Sequence, residues 1–105
     1  MSFQRQVSFA GTGQGTLVGD GTDTGYFRGT KSFMCSLNLN GGTGTFQLQV
    51  HDGTGWVDVY IPQLASKNVT SSEVFSIEDP TRGGSRYRWN CSVHGSGAPI
   101  GRLWN

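Results

Sequence analysis

Apolar and polar residues alternate with a period of two along much of the chain between residues 32 and 93. The clearest run covers residues 86–93, and its apolar side consists of Tyr87, Trp89, Cys91 and Val93. The residues between them are basic or polar, as expected for a strand that buries one face and exposes the other. This run therefore predicts a core strand of a sandwich.

Other alternating or short apolar runs predict strands at residues 3–9, 16–18, 32–39, 45–51, 56–61, 73–77 and 100–104. Clusters of glycine, asparagine, aspartate and proline predict turns between several of them, at residues 40–44, 51–55 and 95–99. Residues 62–72 lack an apolar stripe, so we expect at most one helical turn there. The sequence thus predicts an all-β fold, an antiparallel β-sandwich of seven or eight strands joined mostly by hairpins.

The order of cysteine and tryptophan residues bears on the topology. Cys35, Trp56 and Cys91 follow the Cys-Trp-Cys order of immunoglobulin domains, and Tyr87 lies shortly before the second cysteine. However, Trp56 comes late in the chain for that family, and Tyr87 precedes Cys91 by four residues instead of two. An immunoglobulin-like and a jelly-roll-like topology therefore both remain open.

Length and glycine content limit the domain organisation. A chain of 105 residues has the usual size of one domain, so residues 1–105 are expected to form a single sandwich. Seventeen glycines fit strands joined by flexible turns, and six of them fall in the segment from Gly11 to Gly25. We therefore expect residues 1–31 to be a less regular, glycine-rich strand and loop region.

Charge and hydropathy exclude two classes of partner. The net charge is +1 and the eight basic residues are scattered along the sequence, so no nucleic-acid partner is expected. The first residues lack an apolar signal region, and no stretch approaches the ~20 apolar residues of a membrane span. The sequence predicts a protein made in a cytoplasm, with no membrane partner.

The two cysteines allow two interpretations. Cys35 and Cys91 each lie on the apolar side of a predicted strand. A disulfide between the sheets would stabilise the fold by about 4 kcal/mol on the chain-entropy model. Two buried free thiols are the alternative, which a reducing cytoplasm favours.

Few motifs in the sequence indicate chemistry. The turn from Asp52 to Trp56 is similar to the aspartate-box turn of sialidases, which has a structural role, and a single copy predicts a stable hairpin without hydrolase activity. Asp20 and Asp23 could offer oxygen ligands to calcium, but two carboxylates do not complete its coordination shell, so we expect a solvated loop. His51 and His94 match no catalytic or zinc pattern. We expect no enzymatic activity, no metal site and no cofactor.

Three aromatic residues are candidates for an exposed contact. Trp56, Tyr60 and Trp104 could share a face opposite the stripe of Val57, Val59 and Ile61. Sugar-binding sheets use flat rings of this kind, whereas core packing or a subunit contact would account for them equally well.

Two stretches of sequence resemble small structural proteins of tailed bacteriophages. The first is the hairpin Thr-Phe-Gln-Leu-Gln-Val, starting at Thr45, which leads through an Asp-Gly turn into Trp-Val-Asp-Val, starting at Trp56. The second is Tyr-Arg-Trp-Asn-Cys-Ser, starting at Tyr87, which is followed by Gly-Ser-Gly and a short last strand. The resemblance covers about the last two thirds of the chain and does not include residues 1–31.

The resemblance implies a virion protein, made in the host cytoplasm, that decorates or cements the outer surface of a phage head. Its expected partners are the major capsid protein and neighbouring copies of itself, so the resemblance also implies a homo-oligomer. No catalytic residue is carried over. The N-terminal region is the candidate for the capsid or subunit contact, because edge strands and arms can add to a partner sheet. Its candidate contact residues are Phe3, Arg5, Val7, Leu17, Val18 and Tyr26.

Two other functions remain open at this stage. One is a tail- or fibre-associated module of the virion, which would bind host-surface sugars through the three aromatic residues. The other is a carbohydrate-binding module, a class that is usually secreted or fused to an enzyme.

Overall fold

A computed structural model shows an all-β architecture, which confirms the predicted antiparallel β-sandwich. It describes residues 4–14, 17–19, 26–80 and 83–105. Nine strands lie in these ranges, and seven of them have three or more residues. They are β1 (Gln4–Ser8), β2 (Val18–Gly19), β3 (Phe27–Arg28), β4 (Ser32–Asn38), β5 (Thr43–His51), β6 (Trp56–Asp58), β7 (Glu73–Glu78), β8 (Arg86–Ser96) and β9 (Ile100–Trp104).

The strands form two sheets. One sheet has five strands in the order β2-β1-β9-β4-β7, and the other has four strands in the order β3-β8-β5-β6. The prediction that hairpins join most strands is wrong, because among the described strands only β1–β2 and β5–β6 are consecutive neighbours in a sheet. The turn at Asn40 and Gly41, where φ is +51° and +78°, carries the chain from one sheet to the other.

Strand pairing is nested around the β5–β6 hairpin. β5 pairs with β6, β4 with β7, β3 with β8 and β1 with β9, all antiparallel. A long hairpin whose two arms roll up together gives this pattern, which is the topology of a jelly roll. The structure therefore decides between the two predicted topologies, and β2 adds one short strand beside β1.

The core fills the space between the sheets with aromatic and aliphatic side chains. Phe33 of the five-stranded sheet meets Tyr87 of the other sheet at a ring distance of 4.5 Å, and Phe27 at 5.4 Å. Trp89 is completely buried, and its indole nitrogen donates to the Arg102 carbonyl at 3.1 Å. The alternation predicted for residues 86–93 is correct up to Cys91, whereas Val93 is 56% exposed beyond the edge of the core.

A buried carboxylate fastens the loop after β7. The Asp79 carboxylate accepts hydrogen bonds from the backbone N–H of Ser85, at 3.1 Å, and from the Tyr87 hydroxyl. Burial, and then the adjacent Asp79, raise the pKa of Tyr87 well above its usual value. The Tyr87 hydroxyl therefore stays protonated and satisfies a buried acceptor.

The ends of two strands, β6 and β8, differ from the prediction by three residues each. β6 ends at Asp58 instead of continuing to residue 61, since the chain leaves the sheet edge and turns after Ile61. That turn has backbone hydrogen bonds from Leu64 to Ile61 and from Ala65 to Pro62, and the described residues contain no helix. β8 continues to Ser96, and it stays paired with β5 as far as Thr43 through two shifts of register.

Candidate functional site

The outer face of the four-stranded sheet carries a connected set of polar side chains. Antiparallel register places residues that lie opposite each other on the same face of a sheet. Gln49 therefore lies between Asp58 and Arg88, and His51 lies beside Trp56. We call this surface the cationic face. It consists of Tyr26, Arg28, Gln49, His51, Trp56, Asp58, Arg86 and Arg88.

A row of side chains crosses three strands at Arg88. The Arg88 Nε donates to the Gln49 Oε1 at 2.8 Å, and the Gln49 Nε2 donates to the Asp58 Oδ1 at 2.9 Å. The Arg88 guanidinium also lies over the Trp56 ring, 4.3 Å from its centre. Partial burial lowers the pKa of Arg88, which nevertheless stays charged because an arginine pKa starts far above neutral pH. This guanidinium is therefore held in one orientation.

A second row runs through His51. The Arg86 Nη2 lies 2.8 Å from the His51 Nδ1, and the backbone N–H of Gly53 donates to the same nitrogen at 3.1 Å. Because both groups are donors, Nδ1 must accept, so His51 is the tautomer that carries its proton on Nε2. The Arg86 guanidinium lies 5.3 Å from the centre of the Tyr26 ring.

The turn before Trp56 fixes the end of this face. The Asp52 Oδ1 accepts hydrogen bonds from the Thr54 and Gly55 backbone N–H groups and from the Thr54 hydroxyl, at 2.8 to 2.9 Å. These bonds lower the pKa of Asp52 to about 2. The Trp56 ring meets His51 edge-on at 5.2 Å. The prediction that the aspartate-box-like sequence forms a stable hairpin is therefore confirmed.

A ladder of amides supports the face on its far side. The Gln47 side chain is 4% exposed and bonds Asn68, Ser92 and Asn90 at 2.7 to 3.0 Å. No buried polar side-chain atom in the described ranges lacks a hydrogen-bond partner. A fully satisfied network of this kind keeps the outer surface of the sheet rigid.

The outer face of the five-stranded sheet is more apolar. Trp104 lies opposite Met34 in the register, and the two are half-buried, while Val74 is 61% exposed. Arg102 lies two residues before Trp104 and opposite Ser36, and its Nε donates to the Gln6 Oε1 at 3.2 Å. A shallow groove runs past Val74, Arg102 and Trp104. Among the side chains that the structure describes, this face has one arginine, whereas the cationic face has three.

Comparison with protein families, with curated proteins and with solved structures found no match to this chain.

The candidate contact residues of the N-terminal region fall into different environments. Val7 and Leu17 are each 1% exposed and belong to the core, so their proposed role as contacts is wrong. Arg5 is half-buried on β1, and Tyr26 belongs to the cationic face. Phe3 lies outside the described residues, as does the side chain of Val18.

The three candidate aromatics do not share a face, which corrects that expectation. Trp56 belongs to the four-stranded sheet and is partly covered by Arg88, whereas Trp104 belongs to the opposite sheet. Tyr60 is 55% exposed and follows β6, beside a groove next to Gln63 and Ser76. Trp56 and Trp104 are apart because their strands belong to different sheets, and the local sequence around each residue does not show to which sheet its strand belongs.

The cysteines are free and buried. Cys35 is 0% exposed and Cys91 is 1% exposed, and they lie in different sheets. Burial raises the pKa of the Cys35 thiol to about 12 and also raises that of Cys91. Of the two interpretations, the structure therefore has the two buried thiols.

The described ranges contain no group of three histidine, cysteine or acidic side chains that could hold a metal ion. No helix in these ranges is long and apolar enough to cross a membrane. Asp20 and Asp23, the calcium candidates, lie outside those ranges. His94 is half-buried near the end of β8, and its Nε2 lies 2.8 Å from the Gly97 carbonyl oxygen.

Sequence reasoning did not identify the arginines of the cationic face as a functional set. The period-two pattern places Arg86 and Arg88 on one face, and that signal was present in the sequence. It could not show that Arg28 lies opposite Arg86, because β3 has only two residues and no pattern of its own.

Proposed function

We propose that this protein is a structural protein of a virion, which decorates or cements the head of a tailed phage. The observation that carries this proposal is the nested strand pairing of a jelly roll. Viral capsid domains use this fold, as do lectins and cupins, so the fold supports the proposal by analogy. The phage-like sequence around Trp56 and Trp89 favours the viral member of this set.

The surface also fits a module that binds other proteins. Two rigid outer faces flank the core, and both carry tryptophan and arginine, the residue types that dominate binding energy at interfaces. A specific site needs about 800 Å² on each partner. Repetition of the protein over a shell would add avidity to each single contact.

We do not propose a carbohydrate-binding module as a second function. That prediction depended on Trp56, Tyr60 and Trp104 forming one flat platform, and they lie apart. The predictions of no enzymatic activity, of no cofactor and of self-association stay predictions.

Cosedimentation with phage shells that lack the protein tests the proposal. We expect saturable binding at a fixed ratio to the major capsid protein, with no change when free monosaccharides are added. Binding that does not saturate, or no binding to shells at all, would refute the decoration role.

The contact should be mapped with surface substitutions instead of an N-terminal deletion. Removing residues 1–25 would take Val7, Phe9 and Leu17 out of the core, and the protein would unfold for that reason alone. Arg5→Gln tests one of the two described N-terminal candidates that do not belong to the core, the other being Tyr26. Loss of shell binding by this variant would place the contact at β1.

A further inference from the structure

The three arginines of the cationic face are held by neutral acceptors. Arg88 donates to the Gln49 amide oxygen, Arg86 to the imidazole of His51, and the Arg28 Nη1 to the Gly84 carbonyl at 2.9 Å. Within the described ranges, no carboxylate forms an ion pair with any of them. Neutral acceptors orient a guanidinium without cancelling its charge.

These positive charges lie close to one another. Arg28 is directly opposite Arg86 in the register, where side chains on one face are separated by about 5 Å at the Cβ atoms. Arg88 follows two residues along the same strand, about 7 Å further on. Like charges directly opposite each other on a sheet repel, so the free protein holds this arrangement at an energetic cost. An anion with several charges would relieve it.

Hydrogen-bond donors remain available for such an anion. The Nη1 and Nη2 atoms of Arg88 have no acceptor in the described part of the protein, and they are not buried unsatisfied atoms, so they face solvent. Arginine presents its donors as a planar fork that matches a carboxylate. The Trp56 ring below the guanidinium and the Gln49 oxygen beside it hold this fork in place.

We propose that the cationic face is the docking surface of this protein, and that it binds an acidic segment of a partner protein through aspartate or glutamate carboxylates. The cationic face has three arginines and one carboxylate, Asp58, which already accepts a hydrogen bond from Gln49. Its net positive charge is therefore complementary to an acidic segment. Arginine, tryptophan and tyrosine are the residue types enriched where protein partners bind most strongly. The inference deepens the proposed function, on which it rests for the nature of the partner.

The first experiment titrates the ¹⁵N-labelled protein with a blocked hexaglutamate peptide at low salt. The indole N–H of Trp56 is the reporter, and those of Trp89 and Trp104 are internal references in the core and on the other face. We expect saturable shifts at Trp56 and no change at Trp104. Equal shifts at Trp56 and Trp104 would overturn the proposal, since they would show unspecific charge attraction.

Substitutions on the two faces provide a matched comparison. Arg88→Gln and Arg102→Gln remove the same charge from half-buried arginines, each of which donates through Nε to a glutamine across the sheet. We expect at least a fivefold loss of peptide affinity for Arg88→Gln and less than a twofold loss for Arg102→Gln. Arg28→Gln, at an exposed side chain, gives an independent test should the Arg88 variant unfold. Equal losses on the two faces would refute the proposal.

Two other polyanions distinguish the source of the negative charge. Hexagalacturonate carries carboxylates on a sugar, and a thymidine hexanucleotide carries phosphates. We expect both to bind more weakly than the peptide, and a fivefold tighter binding of either would overturn the choice of a protein partner.

Failure of this inference is distinguishable from failure of the proposed function. Shell binding that is unchanged in Arg88→Gln and Arg28→Gln would leave the decoration role intact and refute the cationic face as its contact. Peptide binding without shell binding would support the face and refute the decoration role.

Discussion

Gly101 is a position where a single added methyl group should be costly. Gly101 lies on β9 directly above Trp89, and a Cβ there would lie 2.6 Å from the Cδ1 and 2.7 Å from the Cγ of that ring. Carbon atoms in contact prefer about 3.5 to 4.0 Å, so the indole must shift by about 1 Å. Because Trp89 is completely buried, the shift is resisted by packed neighbours on all sides.

The magnitude of the Gly101→Ala effect follows from two terms. Overpacking a core costs about 1 to 3 kcal/mol, and weakening the hydrogen bond from Trp89 to the Arg102 carbonyl costs roughly 1 kcal/mol more. Alanine also lowers the conformational entropy of the unfolded chain, which offsets about 0.7 kcal/mol of the loss in folding free energy. We therefore expect a loss of about 1 to 3 kcal/mol, or roughly 5 to 15 °C in Tm for a domain of this size.

Urea unfolding followed by tryptophan fluorescence measures this change. Gly11→Ala is the control, because a Cβ at Gly11 has no atom within 4 Å and its backbone is not left-handed. We expect the control to lie within about 0.7 kcal/mol of the natural protein. A Gly101→Ala variant as stable as the control would refute the packing of Trp89 on β9.

Two further predictions concern titratable groups. The pKa of Asp52 in the folded protein, about 2, is lower than its ordinary value of 3.8, so its hydrogen bonds to the turn stabilise the fold above pH 4 and are lost as the pH falls towards 2. We therefore expect Asp52→Ala to lower Tm by more at pH 7 than at pH 2.5. An equal loss of Tm at both pH values would contradict this reasoning. Because burial raises the pKa values of Cys35 and Cys91, we expect neither thiol to react with a disulfide reagent at pH 8 until urea unfolds the protein. Fast labelling of the folded protein would contradict this prediction, because it would show that the cysteines are accessible.

Most of the fold could be predicted from the sequence because its strands have one buried face. The runs around Cys35, Leu48 and Trp89 alternate cleanly, and each became a strand in the expected place. The missing strand, β3, has two residues, and its place in the sheet depends on pairing with Tyr87 and Arg86 over a distance in sequence that no local pattern records.

Topology and site were harder to predict for one physical reason. Turn residues such as Asn40 and Gly41 specify a change of direction, but they do not specify whether the next strand pairs or crosses to the other sheet. For the same reason, the sequence did not show that Trp56 and Trp104 lie in different sheets or that Arg28 pairs with Arg86. The turn at Asp52 was predictable because its carboxylate bonds only within the next three residues.

The nested pairing of the jelly roll also has a kinetic consequence. His51 pairs with Trp56, Cys35 with Phe75, Phe27 with Tyr87 and Arg5 with Leu103, so each pair encloses the one before it. Closing a longer loop costs more chain entropy, but each closed inner pair shortens the loop that the next pair must close. We therefore expect folding to begin at the β5–β6 hairpin around Asp52 and to continue with β4–β7, then β3–β8 and then β1–β9. The two ends of the chain then come together last, on the slow timescale of proteins rich in non-local contacts.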